Sequence, residues 1–180
     1  VDEEVLVKVL IDTLNPGDLL VIRLFLPKNE YIKHPNDIRF VSDAYDFALN
    51  DLNNKVKKKM ANMLVVGGNP ILNISEFINL NPQWYNRVPF NSTKKISSIS
   101  IPKNNRKETQ LFFLFDQELK KLSKNNNWNY FSTKSYFCNQ KKCLTKVKEK
   151  SLYFDEYHLT QEGMMIYHES LKKYIQKLTK

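Results

Sequence analysis

Long apolar runs are missing from this sequence of 180 residues. None approaches the roughly 18 uninterrupted apolar residues that a membrane-crossing helix requires. The opening Val1-Asp2-Glu3-Glu4 has no starting Met and lacks the basic, apolar and small-residue order of a signal peptide. The chain is therefore expected to be a piece of something longer, cut at an acidic helix start. Cysteine is scarce, with only Cys138 and Cys143. Their spacing is too wide for CxxC redox chemistry, and no second Cys/His pair at zinc spacing accompanies them. His, Asp and Glu do not cluster at ligand spacing either, so no metal and no cofactor are expected. There is no internal repeat and no sign of a second domain.

What is present is a chain of a length suited to one domain with a real core, carrying a net charge of +9. Such a balance is compatible with a nucleic-acid surface, an acidic glycan or an anionic membrane. The lysines are scattered over helix faces (Lys55, Lys57, Lys58 and Lys59, then Lys120, Lys121 and Lys124, then Lys172, Lys173 and Lys177) and are interleaved with asparagines. That distribution points to a solvated surface. No aromatic-plus-basic module of the RNA-binding kind is visible, so nucleic acid is not expected as a partner.

Periodicity gives an alternating order of helices and strands. Val5, Val9 or Leu10, and Leu14 have helical spacing, and Asn15-Pro16-Gly17 ends that helix by turn chemistry. Leu19 to Leu26 is a near-continuous apolar run, read as a strand covered on both faces in a parallel sheet and closed by Pro27. Ser42-Asp43 is the expected cap of a second helix with apolar positions Ala44, Phe47, Ala48, Leu52, Val56 and Met60. Met63-Leu64-Val65-Val66 follows as a second buried strand ending in Gly67-Gly68-Asn69-Pro70. Strand, helix, strand is the right-handed crossover unit of an α/β sheet. Residues 71–106 lack a clean period and are expected to be an irregular excursion, a lid or an insertion. A third helix over Lys107 to Ser123 (Leu111, Phe115, Leu119, Leu122), a strand near Trp128 to Ser132, the cysteine loop and a final helix (Met164, Tyr167, Leu171, Tyr174 or Ile175, Leu178) complete the chain.

The chemistry concentrates in Leu152-Tyr153-Phe154-Asp155-Glu156-Tyr157-His158-Leu159-Thr160-Gln161-Glu162-Gly163. Thr160 is a plausible N-cap for the last helix. A carboxylate three residues before a histidine can accept a hydrogen bond from one ring nitrogen, fixing the tautomer and leaving the other as a base. That is how a serine hydroxyl is activated against an ester. The cysteines are read as a short-loop disulfide, which would place the domain in an oxidising compartment, with two free buried thiols as the alternative.

Asp-x-x-His-Leu-Thr-x-x-Gly, preceded by Leu-Tyr-Phe and a two-cysteine loop, resembles the closing block of SGNH hydrolases. It looks most like the SGNH domains appended to family 3 acyltransferases, membrane enzymes that O-acylate surface glycans. In that family a spaced cysteine pair, an LY.D..HLS..G block and an earlier PGD strand occur in this order. Here they correspond to Cys138 to Cys143, Leu152 to Gly163, and Pro16-Gly17-Asp18 running into Leu26, with Thr160 in place of the usual serine. The resemblance spans most of the chain. It implies one flavodoxin-like three-layer α/β/α domain over 1–180 with a mostly parallel sheet, incomplete at its N-terminus, with His158 as general base and Asp155 orienting it.

It also implies a serine nucleophile in a GDS motif, which is absent: Gly17-Asp18 is followed by Leu19. The nucleophile is expected upstream of Val1 or is missing altogether. Asn69 is a lesser candidate for an oxyanion donor beside its reading as a turn asparagine, and Arg23 is read as structural ahead of a substrate clamp. His168 is expected to be structural, and His34 has no visible partner. The implied activity is transfer of an acyl group, acetyl by expectation, to a cell-surface polysaccharide through a serine ester. An acyl donor, a glycan acceptor and an upstream transmembrane acyltransferase domain are the expected partners, on the periplasmic or luminal side of a membrane. An esterase giving the acyl group to water and an inactive glycan-binding domain are the alternatives.

Overall fold

The computed structural model describes residues 3–24, 37–70, 98–100, 107–139, 142–148, 150–154 and 158–179. Two compact units emerge, one of Val1–Gly68, Phe115–Ser132 and Leu171–Lys180, the other of Asn69–Leu114 and Thr133–Ser170.

The first unit is built on a parallel sheet. Helix α1 (Glu3–Asp12) is followed by β1 (Leu19–Arg23), α2 (Asp37–Lys58) and β2 (Asn62–Val66). Gly17 makes the turn between α1 and β1 with φ 87°, a value open to glycine because it has no Cβ. β2 pairs in parallel with β1, Leu19 opposite Asn62 through Arg23 opposite Val66, and on its other side with β4 (Asn129–Phe131), Leu64 opposite Asn129. β2 is the central strand, with Met63 through Val66 buried, as a continuous apolar run in a parallel sheet should be. Around it the buried residues of this unit include Leu49, Val56, Phe115, Leu119, Trp128 and Phe131. The strand order β1-β2-β4 steps in one direction, with no reversal among the described strands.

Four expectations are corrected here. β1 is shorter than the apolar run and half-buried, with Val21 46% exposed, so it is not covered on both faces; residues 25 and 26 lie outside the described residues. Helix α2 begins at Asp37, so Ser42 is no cap but a buried residue of the helix. Its inward face is Ile38, Ser42, Leu49, Asn53 and Val56, while Phe47 is 81% exposed, and Ala44, Ala48 and Met60 are exposed as well. Asn53 on this face is satisfied by a bond: its Nδ2 donates to the Asn126 carbonyl at 3.4 Å, and Asn126 Nδ2 in turn donates to Asp46 at 2.6 Å. In α1 Val9 and Leu10, either of which is expected to face inward, are both exposed, and Ile11 is buried.

The second unit carries β3 (Ser98–Ser100), antiparallel to β5 (Lys142–Leu144), and a hairpin of β6 (Lys146–Val147) and β7 (Lys150–Ser151). Of the expected irregular stretch, then, residues 98–100 form a strand, and 71–97 and 101–106 lie outside the described residues. Helix α3 (Lys107–Asn125), whose residues divide between the two units at Phe115, buries the expected Leu111, Phe115, Leu119 and Leu122, and Phe112 as well. The short α4 (Lys134–Phe137) leads into the cysteines, and α5 (Gln161–Leu178) closes the chain. The core of this unit is aromatic: the Phe137 ring lies 6.2 Å from Tyr153 and 6.0 Å from Tyr167. Tyr167 is buried as expected, whereas Met164 is exposed.

Candidate active site

His158 is presented by a backbone clasp. The Phe154 N–H donates to the His158 carbonyl at 2.8 Å, Tyr153 and Leu159 form an antiparallel bridge, and the Thr160 N–H donates to the Leu152 carbonyl at 3.0 Å. Residues 152–154 and 158–160 thus run side by side. The clasp is tied at both ends: Leu152 N–H donates to the Thr145 carbonyl at 2.9 Å, and the Thr160 hydroxyl donates to the Ser151 carbonyl at 2.7 Å.

The same hydroxyl accepts the Gly163 N–H at 3.1 Å, which makes Thr160 the N-cap of α5. Gly163 is required by space: a Cβ there would overlap the Leu152 carbonyl oxygen and crowd the Leu159 side chain. Thr160 and Gly163 therefore each have a structural task, and His158 is exposed. Asp155 lies outside the described residues. Tyr153, a member of the clasp, is fully buried, and its hydroxyl has no hydrogen-bond partner among the described residues. Burial pushes its pKa well above the ordinary value.

Asn69 is buried and its side-chain amide donates to the Pro70 carbonyl at 3.3 Å. Arg23 ends β1 opposite Val66, at the carboxyl edge of the sheet. His168 is exposed, with Nδ1 3.3 Å from a Glu169 carboxylate oxygen. His34 lies outside the described residues. Among the described residues no group of three His, Cys, Asp or Glu side chains is placed to hold a metal, and no helix is long and apolar enough to cross a membrane. Cys138 and Cys143 form a disulfide, as preferred from their spacing, and face each other across an antiparallel bridge.

Sequence reasoning missed a buried polar cluster at the carboxyl edge of the parallel sheet, the edge where open α/β sheets bind ligands. Asp116 Oδ1 accepts the Tyr130 hydroxyl at 2.8 Å and the Ser132 hydroxyl at 2.6 Å. Burial first, then the charge of Asp116, raises the Tyr130 pKa far above the ordinary phenol. The Tyr130 oxygen lies where it would meet a Cβ on Gly67 at 2.5 Å, so the chain leaving β2 passes over it only as glycine. A signal existed: Asp116 is a lone acid four residues from Phe112 on a buried helix stripe, and Tyr130 and Ser132 are two apart, the spacing of one face in the strand expected over Trp128 to Ser132.

Against known families, residues 17–173 match the model of the SGNH domain fused to AT3 domains. The chain belongs to this family. Comparison of this SGNH domain with curated protein sequences finds no match. Among solved structures it is similar to the periplasmic domain of a lipopolysaccharide acetyltransferase from Salmonella ser. Paratyphi A, with a TM-score of 0.55 and 15% identity. The match covers 88% of this SGNH domain and 57% of that chain, so it spans little more than half the neighbour's length. The likeness shows the fold: an α/β domain with a mostly parallel sheet, as expected from the sequence.

Proposed function

We propose that this SGNH domain carries the base half of an O-acyl transfer site, on the extracytoplasmic side of a membrane, joined to an AT3 acyltransferase domain. The backbone clasp that holds His158, its side chain exposed, carries the reading. Family membership and a structural neighbour that is an acetyltransferase periplasmic domain support it. The disulfide supports an oxidising compartment. The nucleophile is a serine outside residues 1–180, since no Gly-Asp-Ser occurs among them.

In the proposed reaction the serine Oγ bonds to the donor's acyl carbon as its proton passes to a ring nitrogen of His158. Asp155 accepts a hydrogen bond from the other nitrogen. Collapse of the tetrahedral intermediate expels the donor's leaving group, which takes the proton from the imidazolium. A glycan hydroxyl then attacks the acyl-serine, gives its proton to His158, and the serine recovers it on leaving.

The test is to treat the full-length protein with p-nitrophenyl acetate and map the acylated residue by mass spectrometry. The reading expects one acetyl group on a serine outside residues 1–180, chased off by glycan faster than by water. Hydrolysis with no effect of added glycan indicates an esterase, and the absence of any acylated residue overturns the reading in favour of a domain that only binds glycan.

A further inference from the structure

A groove in the second unit, distinct from the clasp residues, runs between the β6–β7 hairpin and the first turns of α5. Val147, Met165 and Ile166 form its apolar surface, and Lys148, Lys150 and Glu162 its charged rim, around a volume of about 580 Å³. That lies within the usual range for small-ligand sites. Two features set it apart from ordinary surface. Val147 and Met165 stay 41% and 53% exposed although they line a concavity.

Lys148 also holds φ at 48°, in the left-handed region that disfavours residues with a Cβ, at a hairpin turn where asparagine or glycine is the natural choice. Its charge is uncompensated among the described residues, whereas Lys150 is paired with Glu162 at 2.7 Å. The groove therefore offers one available cation above an apolar surface, with the Lys150–Glu162 pair beside it.

We infer that this groove binds an acidic saccharide: Lys148 meets a carboxylate or phosphate on the sugar, and the apolar C–H face of a pyranose covers Met165, Val147 and Ile166. Mixed lining of this kind matches a ring with one apolar face and a polar edge. A lipid chain calls for an apolar enclosure, and nucleic acid for several cations and aromatic platforms. That this saccharide is the acyl acceptor rests on the function proposed above; the binding itself does not.

The experiment is a titration of the 180-residue chain, labelled at its four methionine methyls, with a uronic-acid tetrasaccharide, its carboxyl-reduced neutral counterpart, and inorganic phosphate. The acidic saccharide moves the Met165 methyl and leaves Met60 and Met63 in place. The neutral counterpart binds at least tenfold more weakly. Lys148→Asn and Lys148→Gly, both suited to a positive φ, weaken the acidic saccharide at least tenfold while the Met63 resonance reports an intact sheet.

An unmoved Met165, equal affinities for Lys148→Asn and the native chain, or phosphate binding as tightly as the saccharide would each overturn the proposal, the last by reducing the groove to a simple anion site. His158→Ala separates the two readings, since it stops transfer and leaves this affinity unchanged. With transfer measured on the full-length protein, binding without any transfer upholds the groove and removes the function; transfer that is indifferent to Lys148 variants, with no binding, does the reverse.

Discussion

Gly163 lies so close to Leu152 that any side chain at position 163 would run into the Leu152 carbonyl oxygen. That carbonyl also accepts the Thr160 N–H, so one backbone atom sets both the clasp around His158 and the entry of α5. Gly163→Ala is expected to destabilise the chain by about 1–3 kcal/mol, as overpacking against backbone does. Thr160→Ala should cost about 1 kcal/mol through the lost cap, and Thr160→Ser nearly nothing. Urea unfolding of the three variants checks this; a Gly163→Ala chain as stable as the native one would remove the steric account of the glycine.

Tyr130 and Gly67 should behave as a coupled pair. Gly67→Ala places a Cβ at 2.5 Å from the Tyr130 oxygen, and Tyr130→Phe takes that oxygen away while leaving Asp116 one donor short. Each single change is expected to destabilise, the second by about 1–3 kcal/mol. In the double variant the alanine should cost less than it does alone, with a coupling of about 0.5–3 kcal/mol. Strict additivity would show that the hydroxyl is not what excludes a side chain at position 67.

How far the sequence could be read depended on where each residue finds its partner. The strands Met63 to Val66 and Trp128 to Ser132, the α3 stripe and the Thr160 cap were legible because burial and capping follow from neighbours three or four residues away, or from alternation. The α2 face was misread because two sets of positions compete on that helix. The set that is buried includes Ser42 and Asn53, and apolar counting cannot see that Asn53 is satisfied by Asn126, far along the chain. β1 was overestimated for a related reason: an apolar run states affinity for cover, not its presence. At the site, Asp155 and His158 were readable as a spacing. The Asp116–Tyr130–Ser132 cluster joins a helix to a strand and needed the fold.

Opening the Cys138–Cys143 bridge should weaken the chain modestly, because the loop it closes is short. Chain entropy for a loop of this size gives about 2 kcal/mol. Replacing both cysteines with serine, followed by denaturant unfolding, checks the figure. No loss of stability would mean that the β3–β5 pairing alone holds the segment.

Glu162 carries a pH signature on the rim of the groove. Hydrogen bonding from Lys150 first, and then its own backbone N–H, holds its pKa below the ordinary 4.5. A depressed carboxylate stabilises the folded chain above its ordinary pKa, and that contribution fades as pH falls through the lowered folded value. The carboxyl carbon of Glu162, followed by NMR, should titrate below 4.5 in the native chain and return towards 4.5 in Lys150→Ala. An unchanged midpoint would mean that the ion pair does not persist in solution.

The most direct test of the account is the rate of acyl transfer to glycan by full-length protein carrying His158→Ala, measured beside its thermal unfolding temperature. His158 is exposed and contributes to the clasp through its backbone carbonyl, so the unfolding temperature should stay within a degree or two. Transfer should fall by about a hundredfold or more, the usual loss when a general base is removed. Transfer within twofold of the native rate, in a protein equally stable, would contradict the assignment of His158 as the base.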